Sequence, residues 1–188
     1  MNLAVLSKSC YKILLECNLF NATCKDFMVE FKIVDNPEAI SQVAKLAEEI
    51  WNQHYVPIIG KQQVDYMLNK FQSKNAIKQQ IAEGYRYYFI YDDQLEAGYF
   101  SVKDKGEKLF LSKLYVLDSG RGKGIGKQTM NFIKTSFDNP IIQLTVNKNN
   151  SDSIAFYKKV GFNIVDSAVM DIGNGFVMDD YVMEFSNG

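Results

Sequence analysis

The chain has no cysteine beyond residue 24. Its three cysteines, Cys10, Cys17 and Cys24, sit in one short N-terminal segment, seven residues apart. An odd number in one stretch makes no disulfide framework, and with no histidine nearby it makes no zinc site. Cysteine chemistry is thereby excluded from the body of the chain. There is a single histidine, His54, and a single tryptophan, Trp51, so clustered histidine ligands are excluded and no metal is expected. No apolar run approaches the roughly 18 residues of a membrane helix. The N-terminal apolar stretches are broken by Lys8, Lys12 and Glu16, and no small-residue cleavage site follows, so no signal peptide is read there. Neither charge sign is in excess: 21 Lys and Arg balance 22 Asp and Glu. Without a basic stripe or acidic tail, nucleic acid is not an expected partner. A soluble, cytoplasmic chain is expected.

What is present is an ordinary globular composition, 47% hydrophobic over 188 residues, enough for one domain. A second beginning is visible at Met28. Val29 to Val34 alternates as a strand, and Asp35-Asn36-Pro37 opens a helix with a cap and a proline. Residues 1–27 are read as an N-terminal extension or the product of an upstream start, and residues 28–188 as the domain. Pro37 to His54 has helical period, with Ile40, Val43, Leu46, Ala47, Ile50 and Trp51 on one face. Two further helical stretches run from about Lys61 to Phe71 and from Ser73 to Gly84. The period then changes to two, giving a meander of strands at 85–91, 96–102 and 109–117. A helix over 125–137, a strand over 140–146, a helix over 151–160 and strands over 164–170 and 181–185 complete a mixed α/β sandwich on one sheet.

The segment from Leu114 to Lys127 reads as strand, glycine loop and helix start. Gly120, Gly122, Gly124 and Gly126 let the backbone aim successive N–H groups into one concavity. The helix start adds free amides and a positive dipole end. Arg121, Lys123 and Lys127 add charge, so the loop suits a phosphate or pyrophosphate. A dinucleotide fingerprint fails at its third glycine, whose place falls on Ile125, Lys127 or Thr129. A P-loop fails at Arg121 and Gln128. A ligand-free glycine turn is the bland alternative.

Arg121, Gly124 and Gly126, spaced Arg-x-x-Gly-x-Gly, resemble the coenzyme A pyrophosphate loop of the GNAT family of N-acetyltransferases. Downstream, the run from Asn150 to Phe162 resembles the second motif of that family, with Tyr157 four residues before Gly161, although Ala155 and Tyr157 are only two apart. The resemblance covers 28–188 and implies a GNAT-like fold, a central mostly antiparallel twisted sheet flanked by helices. It implies a transferase that moves an acetyl group from acetyl-CoA to a primary amine by direct attack in a ternary complex. An acyl-CoA-binding regulatory module of the same fold, without turnover, is the alternative.

The resemblance also assigns residues. Backbone groups of Leu114, Tyr115 and Val116 would meet the pantetheine arm and polarise the thioester carbonyl, on a strand that relatives usually have bulged. Arg121, Gly122, Lys123, Gly124, Ile125, Gly126 and Lys127 would hold the pyrophosphate. Asn150 would contact the coenzyme, with helix capping as its bland role. Tyr157 would protonate the leaving thiolate as general acid, against a bland role in the core. Where many relatives have a glutamate base on the strand before the loop, this chain has Ser112 and Lys113; Glu96, Asp179, Asp180 and His54 are the other candidates. The acceptor site would draw on Trp51, His54, Tyr55, Tyr87 with its strand neighbours, and the loop 173–176. With Asp179 and Asp180 these aromatics would suit a cationic amine such as a polyamine, an amino sugar or a peptide N-terminus. The two aspartates could equally be a solvated turn. The ending Gly-x-Gly-Phe-x-Met-Asp-Asp-Tyr-x-Met resembles bacterial members of the family. Relatives are often dimers, so a homodimer is allowed, though no residue here argues for it.

Overall fold

Seven strands form one sheet in the order β1-β2-β3-β4-β5-β7-β6. The structure is a computed structural model that describes residues 29–186. The expected domain start at Met28 and the three cysteines lie outside the described residues. The strands are β1 (Val29–Ile33), β2 (Tyr85–Asp92), β3 (Leu95–Asp104), β4 (Lys108–Val116), β5 (Ile141–Asn147), β6 (Asn163–Gly173) and β7 (Phe176–Ser186). All neighbours are antiparallel except β4 and β5.

The first helix, α1 (Pro37–His54), starts where the cap was read: Ala39 N donates to the Asn36 side chain at 2.9 Å, and Pro37 sits in the first turn. Its buried face is Val43, Leu46, Ala47, Ile50 and Trp51. Each such aliphatic side chain contributes roughly 1.5–3 kcal/mol of burial. Three short helices follow, α2 (Val56–Ile59), α3 (Lys61–Met67) and α4 (Lys74–Ala82). The single helix expected over 61–71 changes pitch at Leu68, where a π-helical turn (Leu68–Gln72) inserts. That wider turn tucks Gln72 inward to accept from the Tyr99 hydroxyl at 3.2 Å. Helices α1, α3 and α4 cover one face of the sheet, packing on Tyr87, Phe89 and Tyr99. Helices α5 (Ile125–Ser136) and α6 (Ser151–Lys159) cover the other, around Phe100, Leu109, Leu111 and Leu144.

The last two strands are longer than their hydrophobic pattern suggests. The expected loop 173–176 is a tight hairpin on Asn174 and Gly175, both at positive φ, the Asn-Gly pairing that hairpin geometry favours. Asp179 and Asp180, open to reading as a turn, lie inside β7.

Two irregularities in β4 shape the site. Ser101 pairs with Lys113 but Val102 pairs with Leu111, so Ser112 is an extra residue bulged out of the ladder. The parallel register with β5 covers only Lys108–Leu111 against Ile141–Leu144. Beyond it both strands continue and part from each other, leaving a wedge in the middle of the sheet.

Candidate active site

The wedge opens into a cleft of about 1020 Å³ that runs between the two helical layers. Its walls bring together most of the residues that the sequence singled out. Leu114, Tyr115, Val116, Arg121, Gly122, Gly124, Ile125, Gly126, Lys127 and Tyr157 all line it, as do Trp51, His54 and Tyr55 from the end of α1.

Strand alternation decides which backbone groups face the gap. Leu117 N bonds Ala97 O at 2.8 Å, so the Tyr99–Tyr115 pair two residues on also exchanges its hydrogen bonds across β3 and β4. The N–H and C=O groups of Leu114 and Val116 therefore point away from β3, toward the wedge. The Val116 carbonyl takes Arg121 Nε at 3.2 Å.

The glycine loop leads into α5, whose N-cap, Gly124, is left-handed at φ +83° and offers no side-chain cap. The first-turn amides are thus open on the cleft side, with the positive end of the helix dipole behind them. A Cβ at Gly124 would meet nothing within 4 Å, whereas one at Gly126 would lie 3.1 Å from the Phe156 ring. Gly124 leaves room for something outside the protein; Gly126 lets α5 start against α6. Lys127, Lys134 and Lys159 line this end of the cleft. Lys123 is outside the lining, its Nζ 4.0 Å from the Asp92 carboxylate.

Arg121 folds back from the loop. Its guanidinium pairs with Asp118 at 2.8 Å and meets His54 Nδ1 at 3.2 Å. The other ring nitrogen of His54 lies 3.3 Å from Asn150 Nδ2, while Asn150 Oδ1 caps α6 by accepting from Ser153 N at 3.2 Å. His54 thereby ties α1, the glycine loop and α6 into one frame. Burial first, and the Arg121 charge second, lower its pKa, so it is neutral at physiological pH, and its one acceptor nitrogen serves one of these two donors.

Four phenols crowd the middle of the cleft wall. Tyr115 packs edge-on to Trp51, Tyr55 and Tyr99 at ring separations of 5.3–6.0 Å. Burial pushes the Tyr55 hydroxyl up to about 12, although hydrogen bonds with Tyr115 and Asn150 favour its ionised form. Tyr157, buried against Phe156 and Phe162, is pushed well above the ordinary phenol value by burial, with Tyr55 adding to the shift. Every one of these hydroxyls is protonated at neutral pH.

Tyr87 lies elsewhere. It is wholly buried and outside the cleft lining, and its hydroxyl donates to Gln80 Oε1 at 2.6 Å. Among the base candidates, Glu96 bonds Gln42 away from the cleft, and Asp179 faces outward to Lys148 at 2.5 Å. Asp180 points inward and lines the cleft, 7% exposed. From the late segment Met178 and Asp180 reach the cleft while Gly173–Phe176 does not. Met67, Gln63, Thr145 and Met178 are lining residues with no signal in the sequence, save that 178 and 180 share a strand face once β7 is extended back to Phe176.

Lys113 is the least expected element of the lining. It is buried, and its Nζ reaches Gln80 Oε1 at 2.6 Å, Phe71 O at 3.5 Å and the Tyr87 hydroxyl. Burial pushes its ammonium down to about 7. Between pH 7 and the ordinary lysine value, the unfolded chain holds a proton here that the folded chain lacks. Stability therefore rises with pH across that window, and the cost of burial is complete below it. Lys113→Met should raise Tm by several degrees at pH 6 and by much less at pH 9.5. The substitution orphans no acceptor, because Gln80 Nε2 also donates to Phe71 O and Tyr87 keeps Gln80 Oε1. Equal shifts at both pH values in thermal melts would refute the buried, proton-poor lysine.

Among the described residues, no group of three or more His, Cys, Asp and Glu could hold a metal, and no helix is long and apolar enough to cross a membrane.

Residues 55–185 match the acetyltransferase (GNAT) domain family. The PaiA N-acetyltransferase of Thermoplasma acidophilum, solved in complex with coenzyme A, superposes with a TM-score of 0.68 at 21% identity over 85% of this chain and 99% of that one. A ribosomal-protein-alanine N-acetyltransferase from Escherichia coli gives 0.63 at 13% identity, over 85% and 94% of the two chains. YncA of Salmonella typhimurium with its cofactor acetyl-CoA gives 0.55 at 14% identity, over 84% and 93%. With the family matched across 55–185 and the wedged sheet in place, the chain belongs to the GNAT family of acetyltransferases.

Proposed function

We propose that the chain transfers an acetyl group from acetyl-CoA to a primary amine, by direct attack within a ternary complex. The observation that carries this reading is the joining of three features in one cleft: the wedge between β4 and β5, the uncapped start of α5, and the Tyr157 hydroxyl.

The residues fit coenzyme A. Open space over Gly124 and the free first-turn amides of α5 suit a pyrophosphate, and Lys127 adds charge beside them. Wedge-facing backbone of Leu114 and Val116 suits the extended, amide-bearing pantetheine arm as if it were a strand laid on β4. Acetyl-CoA, when bound, supplies an acetyl group activated as a thioester. The Val116 or Leu114 amide would donate to its carbonyl oxygen, a contact worth roughly 10²–10³ in kcat at comparable sites. Asn150 keeps its capping role and holds His54, which in turn orients Arg121 at the loop. Tyr157, protonated at all working pH values, would give its proton to the departing sulfur.

Calorimetric titration tests the first half. Coenzyme A should bind, while ATP and NAD should bind at least tenfold more weakly, since neither carries a pantetheine arm for the wedge. Free-thiol release from acetyl-CoA, measured over a panel of amines, tests the second. Binding without turnover on any amine would favour an acyl-CoA-binding module over an enzyme.

A further inference from the structure

We propose that Asp180 is the general base of this acetyl transfer and the docking carboxylate of its acceptor, and that the acceptor is a primary amine with one positive charge on an apolar or aromatic body. The inference rests on the acetyl-transfer reading above and deepens it.

Asp180 sits on β7 opposite Asn147, at the end of β5 where the wedge is open. It is buried, it lines the cleft, and the Thr145 side chain from β5 hydrogen-bonds it. Among the described residues no lysine or arginine forms an ion pair with it; Lys148, whose charge acts on it, is bonded to Asp179. A buried carboxylate without a cation is costly, and an arriving ammonium would supply the missing charge. Burial first, then Asp179, raise its carboxyl to about 6, against the opposing pull of Thr145 and Lys148. It is thus mostly ionised at pH 7 yet a much better proton acceptor than an exposed aspartate. The other carboxylate and imidazole candidates are engaged: Glu96 with Gln42, Asp179 with Lys148, and the one acceptor nitrogen of neutral His54 with the Arg121 or Asn150 donor.

The walls around Asp180 name the rest of the acceptor. Trp51, Tyr55, Ile59, Met67, Tyr115 and Met178 make that half of the cleft apolar and aromatic. Among the described residues the only other carboxylate in the lining, Asp152, belongs to the first turn of α6. A polyamine would bring a second ammonium toward walls that offer no second carboxylate beside Asp180, in a cleft whose lining includes Lys113. A single amine on an apolar body satisfies both the charge and the walls.

In the step, Asp180 takes one proton from the substrate ammonium, forming O–H as N–H breaks. The freed nitrogen forms the C–N bond to the acetyl carbon as the C–S bond breaks. Tyr157 gives its proton to the sulfur and regains one from the new amide nitrogen. Asp180 then releases its proton to solvent.

The groups facing Asp180 are Asp179, Lys148, Thr145 and, from the α1–α2 corner, Tyr55. Lys113 also titrates in the cleft, at about 7, and burial lowers His54, so a variant must assign the limb. The test measures kcat/KM from pH 5 to 9.5 for the wild-type chain and Asp180→Asn, with 2-phenylethylamine and spermidine as acceptors, and coenzyme A affinity by calorimetry. Wild type should show an acidic limb near pH 6 and should prefer 2-phenylethylamine by roughly tenfold or more. Asp180→Asn should lose roughly 100-fold at pH 7, keep its coenzyme affinity, lose the limb, and recover as pH nears the pKa of the amine. A variant that keeps wild-type turnover and its limb overturns the base. A preference for spermidine overturns the acceptor class. Should Asp180→Asn fail to fold, a wild-type profile flat between pH 5 and 7 still overturns the base. A wild-type chain that binds coenzyme A but acetylates no amine sinks the acetyl-transfer reading itself, an outcome distinct from failure of the base alone.

Discussion

Gly124→Val should abolish measurable coenzyme A binding while leaving the chain folded. Gly124 caps α5 at φ +83°, in the left-handed region that a β-branched residue resists. Forcing it there costs on the order of 1–3 kcal/mol, which a domain of this size tolerates. Nothing in the protein lies within 4 Å of the added Cβ, so the branch point itself meets no neighbour. The side chain fills the space over the first-turn amides instead, where a pyrophosphate would sit. Gly124→Ala separates the two effects, because it carries backbone strain with little bulk. If the loop were only a turn, both variants would show the same modest loss of Tm. If it is a phosphate cradle, valine should remove coenzyme affinity that alanine only weakens. Calorimetry on the two variants beside thermal melts makes the distinction, and retained affinity in Gly124→Val would end the loop assignment.

Tyr157→Phe should lower kcat by roughly 100-fold, the scale of a lost general acid, with the coenzyme Kd changed by less than about threefold. The ring stays packed between Phe156 and Phe162. Among the described residues none hydrogen-bonds its hydroxyl, so the substitution orphans no partner and the fold should survive it. Burial holds the phenol protonated well above its ordinary range. A phenol so shifted is a weak acid in water, but a thiolate leaving into the same low-dielectric walls is correspondingly basic. No loss of rate from ionisation of Tyr157 should therefore appear up to pH 9.5. A kcat for Tyr157→Phe equal to wild type would remove the residue from the mechanism.

Local spacing made much of this protein legible. The Asn36-Pro37 start, the amphipathic α1, the aromatic β2 and the glycine run before α5 depend on neighbours a few residues apart, and each stands where its pattern placed it. Elements whose character is set by distant partners were harder to read. Leu68–Gln72 keeps a helical pattern but changes pitch, because Gln72 gains a buried partner in Tyr99 from β3. Strand β7 begins five residues before its alternation becomes clear, because its pairing with β6 sustains it. Tyr87, aromatic and polar-tipped, reads as a substrate contact; the packing of α4 over β2 makes it a core residue held by Gln80 and Lys113.

The amino-acid sequence by itself determined the glycine-loop end of the cleft. Strand, loop and helix start form one continuous stretch of backbone, and glycine spacing together with a helix start suffices to specify it. Tyr157 follows from its register on α6 for the same reason. Only the tertiary structure decided the opposite end, proposed above for the acceptor. There, side chains from α1, α3, β4, β5 and β7 meet across more than a hundred residues of chain. What distinguishes Asp180 from Asp179 is not its identity but the face of β7 it occupies: Asp179 turns to Lys148 and solvent, whereas Asp180 is buried at the wedge without an ion pair among the described residues.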